Sequence, residues 1–340
     1  MPQPEPPIVG QKGEMAFVIC SNANWFWQGV FLLHRAAELN LGKNIDFYYY
    51  SMDPLADHLQ PLLPNRATFV QWSGKLPKPE YGLLKHVTEE TVLRIFAIGE
   101  LCQSYDRVLY LDIDMFLRWG DLADLLSLPL GSYPMAAVLD ISLWPSTPKR
   151  WFMRNYMSRY PENMQRSYFN AGFILANGPA WADNDITARA ARVLSEDPKF
   201  CHFGDQSALN AVVAGHWLEL SPGWNWQANV DYDFMIPMRN PRIVHFLGRY
   251  KAWSDVWFTH DEIYIRSIME WLHRHELKEE IREIDERVLS ASSERRRTRE
   301  LSRTLKDPMA MRESVKGYLD LSKFADFSAG IKGFGWKEDR

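Results

Sequence analysis

Two carboxylates stand where an apolar run of the sequence ends. The segment Val108-Leu-Tyr-Leu-Asp112-Ile-Asp114 predicts a buried strand that runs into Asp112 and Asp114. Ligands of open α/β sheets bind at the carboxyl ends of strands, and side chains two positions apart on an extended chain share a face. The pair therefore has the chemistry to hold one hard divalent cation, which would neutralise a diphosphate. A solvated turn is the alternative interpretation of an Asp-X-Asp pair, and the further copies at 183–185 and 231–233 follow no apolar strand.

The elements that must position these residues alternate along the chain. Amphipathic stretches predict helices over residues 28–40 and from Thr88, where a capping residue precedes two glutamates suited to the helix dipole. Apolar runs predict strands at 16–20, 46–50, 67–70, 107–113, 135–139, 169–176 and 243–246. This alternation predicts a layered α/β fold with a mostly parallel sheet.

Composition and charge exclude several classes of protein. The chain is 46% hydrophobic and 24% charged, which excludes a disordered or low-complexity protein. Its 39 basic and 43 acidic residues give a net charge of −4, so nothing points to a nucleic-acid partner. Three scattered cysteines suit neither a disulfide framework nor a zinc site, and a reducing cytoplasm is the simplest compartment. No apolar run approaches the roughly 18 residues that a transmembrane helix requires.

Five blocks of sequence, in order, resemble those of family 8 glycosyltransferases, the retaining nucleotide-sugar transferases that include glycogenin and bacterial lipopolysaccharide galactosyl- and glucosyltransferases. The blocks are Thr91-Val-Leu-Arg94, residues 107–114, Tyr168-Phe-Asn-Ala-Gly172, Gly204-Asp-Gln-Ser-Ala-Leu-Asn210 and residues 245–253. The resemblance implies a GT-A fold, that is, a Rossmann-like mixed sheet flanked by helices. It also implies metal-dependent, retaining transfer of galactose or glucose from a UDP-sugar to a glycan acceptor, in the synthesis of lipopolysaccharide or another bacterial surface polysaccharide.

The same resemblance implies a metal and diphosphate site. Asp112, Asp114 and His245 would hold Mn²⁺ or Mg²⁺ through carboxylate and imidazole ligands. The residues expected to contact the diphosphate are Arg94, Gly248 and Lys251. Gly248 would allow the backbone to approach the phosphates closely, and the side chains of Arg94 and Lys251 would place positive charge beside them.

Further residues are implied for the nucleoside and the donor sugar. The first loop departs from the family, with Asn22-Ala-Asn24-Trp25 where acidic residues commonly precede an Asn-Tyr pair. Asn22 could still hydrogen-bond the edge of uracil, and Trp25 could still stack on it. The donor sugar would be surrounded by Asp140, Asn170, Asp205 and Gln206, with Asn24, Ile113 and Ala171 completing the donor site. Ser207 replaces a second acidic residue of the family and is not expected to be catalytic.

Retention of configuration leaves two mechanisms open. A double displacement needs a carboxylate nucleophile near the anomeric carbon, and the neutral amide of Gln206 is a poor one. This favours attack on the face from which the diphosphate leaves, with Gln206 orienting the donor. Asp205 is the rival nucleophile, although it also suits the capping position of a helix.

The acceptor side is less defined. Aromatic and basic residues alternate between Leu143 and Arg166, and Trp224 and Trp226 form a second cluster. Such surfaces could receive an acidic or phosphorylated sugar, but an amphipathic helix with a solvated basic face explains the first cluster equally well. No acceptor residue is assigned.

Three segments are predicted along the chain. Residues 1–14 are expected to be disordered, 15–258 to form the GT-A catalytic domain, and 259–340 to form a helical, partly basic extension. That extension resembles the basic segments that tether lipid-acceptor transferases to anionic membranes, so a cytoplasmic protein with peripheral contact at the inner face of the membrane is expected. A solvated helix or an oligomer contact is the alternative.

Two other functions are compatible with an Asp-X-Asp pair after an apolar strand. Haloacid-dehalogenase-like phosphatases also place Asp-X-Asp after an apolar strand, but they normally continue with Gly or Thr where this chain has Met115 and Phe116. A protein that binds a nucleotide sugar without turnover is the third possibility, which the complete set of metal ligands disfavours.

Overall fold

The computed structural model describes residues 15–40, 43–77, 89–144, 157–158, 160–198, 200–228, 240–247, 251–253 and 263–288. Several predictions fall outside these residues. They concern the N-terminal segment 1–14, Gly248, the Asp-X-Asp copy at 231–233, the aromatic and basic residues 145–156, and the extension beyond 288.

Ten strands lie in the described part of the chain. They are β1 (Met15–Cys20), β2 (Ile45–Ser51), β3 (Ala67–Gln71), β4 (Arg107–Leu111), β5 (Met115–Leu117), β6 (Met135–Leu139), β7 (Phe169–Asn177), β8 (Leu218–Glu219), β9 (Trp226–Ala228) and β10 (Ile243–Phe246). Seven form one sheet in the order β3-β2-β1-β4-β7-β6-β8. Strand β7 is antiparallel to both β4 and β6, whereas the other pairings are parallel. The predicted mixed α/β sheet is confirmed.

One strand is shorter than predicted, and another lies outside the large sheet. The strand predicted over 107–113 ends at Leu111, because residues 112–114 turn the chain before β5 begins. The predicted strand 243–246 does not join the large sheet. It is β10, the middle of a second sheet in the order β5-β10-β9, antiparallel to β5 and parallel to β9. This small sheet returns the chain to the carboxyl end of β4.

Eight helices accompany the sheets within the described ranges. They are α1 (Phe26–Leu39), α2 (Glu89–Leu101), α3 (Glu162–Arg166), α4 (Gly178–Asp183), α5 (Ile186–Glu196), α6 (Asp205–Val213), α7 (Ile263–Arg274) and α8 (Lys278–Val288). Among the described helices, none has both the length and the apolar character needed to cross a bilayer. Helix α7 packs on α1, where the rings of Phe31 and Trp271 meet at 5.6 Å.

The core runs along the middle strands of the large sheet. Every residue of β1, β6 and β7 is buried, as expected for strands covered on both faces. Trp224 and Trp226 also lie in this core, with relative exposures of 1% and 0%. Trp226 packs edge-on against Trp144 at 5.3 Å. Neither the Trp224 nor the Trp226 indole reaches solvent, so this aromatic cluster belongs to the core and offers no surface to an acceptor.

Candidate active site

The structure brings the three predicted metal ligands together. Asp112 and Asp114 lie on the turn after β4, and β10 of the small sheet carries His245 to them. His245 Nε2 lies 3.2 Å from Asp114 Oδ1 and 3.8 Å from Asp112 Oδ2. One ligand atom from each residue falls within 4.8 Å of the other two, close enough to share one ion. We call these three residues the metal triad.

Asp112 is held through one of its two oxygens. Tyr110 donates its hydroxyl proton to Asp112 Oδ1 over 2.7 Å, and Arg94 Nη1 lies 2.9 Å from the same atom. The other oxygen, Oδ2, faces His245. Because the first oxygen is already satisfied, the second is the one directed into the triad.

Asp114 supplies an unsatisfied acceptor. Its Oδ2 accepts a hydrogen bond from Lys251, while its Oδ1 is buried and has no hydrogen-bond partner. Burial opposes the charge, yet the pKa of Asp114 is lowered because the ammonium group of Lys251 favours the carboxylate. An ionised, buried oxygen without a donor, next to an imidazole nitrogen, is the environment that a divalent cation fits. The residues present therefore suit Mn²⁺ or Mg²⁺.

The position of Gly172 shows how closely β7 passes the triad. A Cβ atom at this residue would lie 2.4 Å from His245 Cε1 and 2.9 Å from Asp112 Oδ2. The Gly172 carbonyl also accepts the backbone N–H of Asp112 over 2.8 Å. Any side chain here would push the imidazole or the carboxylate out of place, so the glycine of the 168–172 block is a requirement of the metal triad.

Arg94 links the triad to α6. Its guanidinium lies between two carboxylates, with Nε 2.8 Å from Asp205 Oδ2 and Nη1 on Asp112. Nη1 also donates to the Ala171 carbonyl over 2.9 Å. Although burial works against its charge, Asp112 and Asp205 hold the pKa of Arg94 above its ordinary value. The predicted contact of Arg94 with the diphosphate stays a prediction.

A second group of polar residues, Asp140, Asn170 and Gln206, forms what we call the amide cluster. Asp140 Oδ2 accepts from Asn170 Nδ2 and from Gln206 Nε2, each over 3.2 Å. Gln206 Oε1 accepts the backbone N–H of Ala171 over 3.0 Å. The side chains of the cluster therefore orient one another.

The fold explains how the amide cluster assembles. Asp140 follows β6 and Asn170 lies on the adjacent β7, where the two strands pair antiparallel. Asn210 of α6 exchanges two hydrogen bonds with the backbone of Phe169, of 2.9 and 3.0 Å. These two hydrogen bonds hold α6 against β7, and Gln206, one turn before Asn210, lies beside Asn170.

Asp205 and Gln206 differ sharply in their surroundings. Asp205 is only 3% exposed, and burial raises its pKa to about 6 against the opposing effect of Arg94. Gln206 is half-buried and reaches solvent. Gly204 occupies the capping position of α6, so Asp205 begins the first turn and the capping interpretation of its role is wrong. Ser207 is fully buried and hydrogen-bonds the hydroxyls of Tyr160 and Tyr168.

The remaining predicted donor residues lie around the first loop and the triad. Asn22 caps a short 3-10 turn by accepting the N–H of Asn24 over 3.1 Å, and Asn24 is exposed. Trp25 is half-buried, with its ring 5.9 Å from that of Trp253. Ile113 lies on the turn between the two carboxylates. The roles predicted for these residues stay predictions.

Three site residues were not predicted. Tyr110 precedes Asp112 by two positions, and that spacing is the signal that could have revealed it, because both side chains face the same way. Asp53 accepts the N–H of Ala23 over 2.9 Å and so fastens the first loop. Asn225 touches both His245 and Asn170, and nothing in its local sequence indicates this.

Comparison with known proteins agrees with this geometry. The family model described as glycosyl transferase family 8 matches residues 68–256, which is more than half of the chain. The chain belongs to this family.

Individual relatives are distant. The glycosyltransferase GlyF of Streptococcus pneumoniae is 29% identical over 224 residues, covering 62% of this chain and 51% of the relative. The lipopolysaccharide 1,3-galactosyltransferase of Salmonella typhimurium is 29% identical over 180 residues, covering 50% and 51%. This chain thus spans about half the length of each. A structure of the galactosyltransferase LgtC with donor and acceptor sugar analogs has a TM-score of 0.55 at 20% identity, covering 75% of this chain and 96% of that one, which establishes the shared GT-A fold.

Proposed function

We propose that this chain transfers a hexose, galactose or glucose, from a UDP-sugar to a glycan acceptor with retention of configuration. The observation that carries the proposal is the assembly of the metal triad beside the amide cluster, joined through β7. Family membership supports transfer of a sugar, and the relatives named for lipopolysaccharide synthesis support a role in building a bacterial surface polysaccharide.

The metal triad serves the leaving group in this proposal. Asp112, Asp114 and His245 would hold Mn²⁺, or Mg²⁺, and the ion would neutralise the diphosphate as negative charge develops on it. Lys251 already touches Asp114 and stands close enough to add a second positive charge. Arg94 would hold Asp112 in position through their ion pair and would add its positive charge near the diphosphate.

The amide cluster serves the donor sugar. Carboxylate and amide groups are suited to fixing sugar hydroxyls, and the cluster is already oriented by its internal hydrogen bonds. Gln206, half-exposed, would face the anomeric carbon and orient the donor. Asp205 is buried against Arg94, which favours a structural ion pair over a nucleophile and supports same-face attack.

The nucleoside and the cellular setting complete the proposal. Asn22, Asn24 and Trp25 would meet the uracil base, with Ile113, Ala171 and Gly248 close to the rest of the donor. The proposed location is the cytoplasm, with peripheral membrane contact through the basic C-terminal segment. It rests on the three cysteines, all free and buried, and on the sequence of that segment.

Family membership leaves the phosphatase alternative without support. The remaining alternative is a protein that binds the donor without turnover, since it would keep the same residues. A panel of UDP-hexoses with Mn²⁺ separates the two remaining functions by measuring UDP release, followed by proton NMR of the glycosylated product. We expect turnover of one or two donors and an α-linkage from an α-UDP-hexose. Binding without UDP release would favour the silent protein, and a β-linked product would contradict retention.

A further inference from the structure

Asn225 lies at the junction between the metal triad and the amide cluster. It precedes β9, its side chain has no exposure to solvent, and it contacts a member of each group. Its Nδ2 donates to Asn170 Oδ1 over 2.9 Å, and its Oδ1 lies 3.1 Å from His245 Nδ1. One buried amide thus bridges the two halves of the site.

The backbone N–H group of Gly172 fixes the orientation of the Asn170 and Asn225 amides. Gly172 donates its N–H to Asn170 Oδ1 over 3.1 Å, and Asn170 Nδ2 donates to Asp140 Oδ2. Both contacts require the same orientation of the Asn170 amide, so its Oδ1 is an acceptor. Asn225 must then present its Nδ2 to Asn170 and its Oδ1 to His245.

The orientation of the Asn225 amide determines which ring nitrogen of His245 carries the proton. An amide oxygen only accepts, so His245 Nδ1 must carry a proton and donate it to Asn225. The Nε2 atom, 3.2 Å from Asp114 Oδ1, is then the nitrogen available to a metal ion. An amide that presented its nitrogen to Nδ1 would instead leave the proton on Nε2 and block the ligand atom.

We propose that Asn225 is a positioning residue that sets the tautomer of His245 and couples the metal ligand to the amide cluster. The sequence of donors and acceptors runs from Gly172 N–H through Asn170 and Asn225 to His245. The role of Asn225 in metal binding rests on the proposed function, whereas the tautomer of His245 follows from the hydrogen bonds of the chain alone. Outer partners of metal-bound histidines commonly fix the ring in this way.

Two substitutions of Asn225 separate its two contacts. Asn225→Ala removes both, so Mn²⁺ affinity, measured by electron paramagnetic resonance of the free ion, should fall by about 10- to 100-fold. Asn225→Asp keeps an acceptor for Nδ1–H but cannot donate to Asn170, so Mn²⁺ affinity should change by less than about tenfold while turnover of the donor drops. Asn40→Ala is the matched control, because Asn40 is a buried amide bonded to Ala36 and Leu122.

Nitrogen-15 NMR of histidine-labelled protein tests the tautomer directly, with the His245 signals assigned by their loss in His245→Gln. We expect a proton on Nδ1 of the wild type, both without metal and with Mg²⁺. The inference would be overturned if Nδ1 of His245 carried no proton. It would also be overturned if Asn225→Ala bound Mn²⁺ as tightly as the wild type, or if Asn225→Asp lost as much Mn²⁺ affinity as Asn225→Ala. Failure of the wild type to bind Mn²⁺ would count against the proposed function instead, and the NMR result would still decide the tautomer.

Discussion

The metal triad and the amide cluster lie side by side but are stabilised in different ways. The triad is ionic: Arg94 and Lys251 each balance one carboxylate, and Asp114 Oδ1 has no hydrogen-bond donor. The amide cluster is closed by hydrogen bonds among its own members and the backbone of Ala171.

This contrast indicates that the metal triad and the amide cluster bind different ligands. The triad holds a buried acceptor without a hydrogen-bond donor, which a bound cation would satisfy. The amide cluster is preorganised, and its groups need little rearrangement to meet a sugar. Changes in the triad should therefore alter metal affinity, whereas changes in the cluster should alter turnover.

The largest effect is expected from Gly172→Ala. The added methyl group would lie 2.4 Å from His245 Cε1, so the imidazole must move and both Mn²⁺ binding and transfer should be lost. Gly29→Ala is a control of equal steric severity for the metal triad, because its Cβ would lie 2.3 Å from the hydroxyl oxygen of Tyr49, which hydrogen-bonds the backbone of Trp25 and Phe26 and no member of the triad. The control should lower Tm without changing Mn²⁺ affinity, measured by paramagnetic resonance. Wild-type Mn²⁺ binding in Gly172→Ala would remove the triad as the metal site.

A smaller effect is expected from Gln206→Ala. Loss of one preorganised polar group should slow transfer by about 10- to 1000-fold while Mn²⁺ affinity stays unchanged. Asp205→Asn should be milder if the carboxylate only pairs with Arg94, and at least as damaging if it attacks the donor. Mass spectrometry after incubation with the donor distinguishes these cases. A sugar on Asp205 would assign the nucleophile to it, and a sugar on Gln206 would contradict same-face attack.

The smallest effect concerns the pH dependence of stability. The pKa of Asp205 is about 6 in the folded protein, above its ordinary value of 3.8, so the protonated form stabilises the fold. That contribution is complete below pH 3.8 and is lost as the pH rises through about 6. In EDTA, the stability of wild type relative to Asp205→Asn should therefore decrease between about pH 4.5 and 7.5. Asp183→Asn, at an exposed carboxylate, is the control, and an equal change there would refute the assignment.

Much of the fold was predictable because its strands are continuous apolar runs. β4 and β7 are examples, each long enough and buried enough to stand out. Strands β5 and β9 have three residues each, too few for any periodicity to appear, and so the small sheet that carries His245 was missed.

The candidate site was predictable where residue type and chemistry coincide. Two carboxylates after a strand indicate a metal ion, and the sequence block around His245 supplied the third ligand. Asn225 could not be found in this way, because its role depends on how β9 aligns beside β10 and on the orientation of Asn170. The pairing of Arg94 with Asp205 likewise depends on tertiary structure, since α2 and α6 are distant in sequence.

The most direct test of a metal-dependent diphosphate site is the thermal stability of the chain with UDP alone, Mn²⁺ alone, and both together. Binding to the folded state alone should stabilise it, by about 2.7 kcal/mol when the ligand is at 100 times its Kd. We predict that UDP raises Tm substantially only when Mn²⁺ is present, and that Asp114→Ala folds but abolishes this increase. An equal rise with UDP in EDTA, or a wild-type response in Asp114→Ala, would contradict the account.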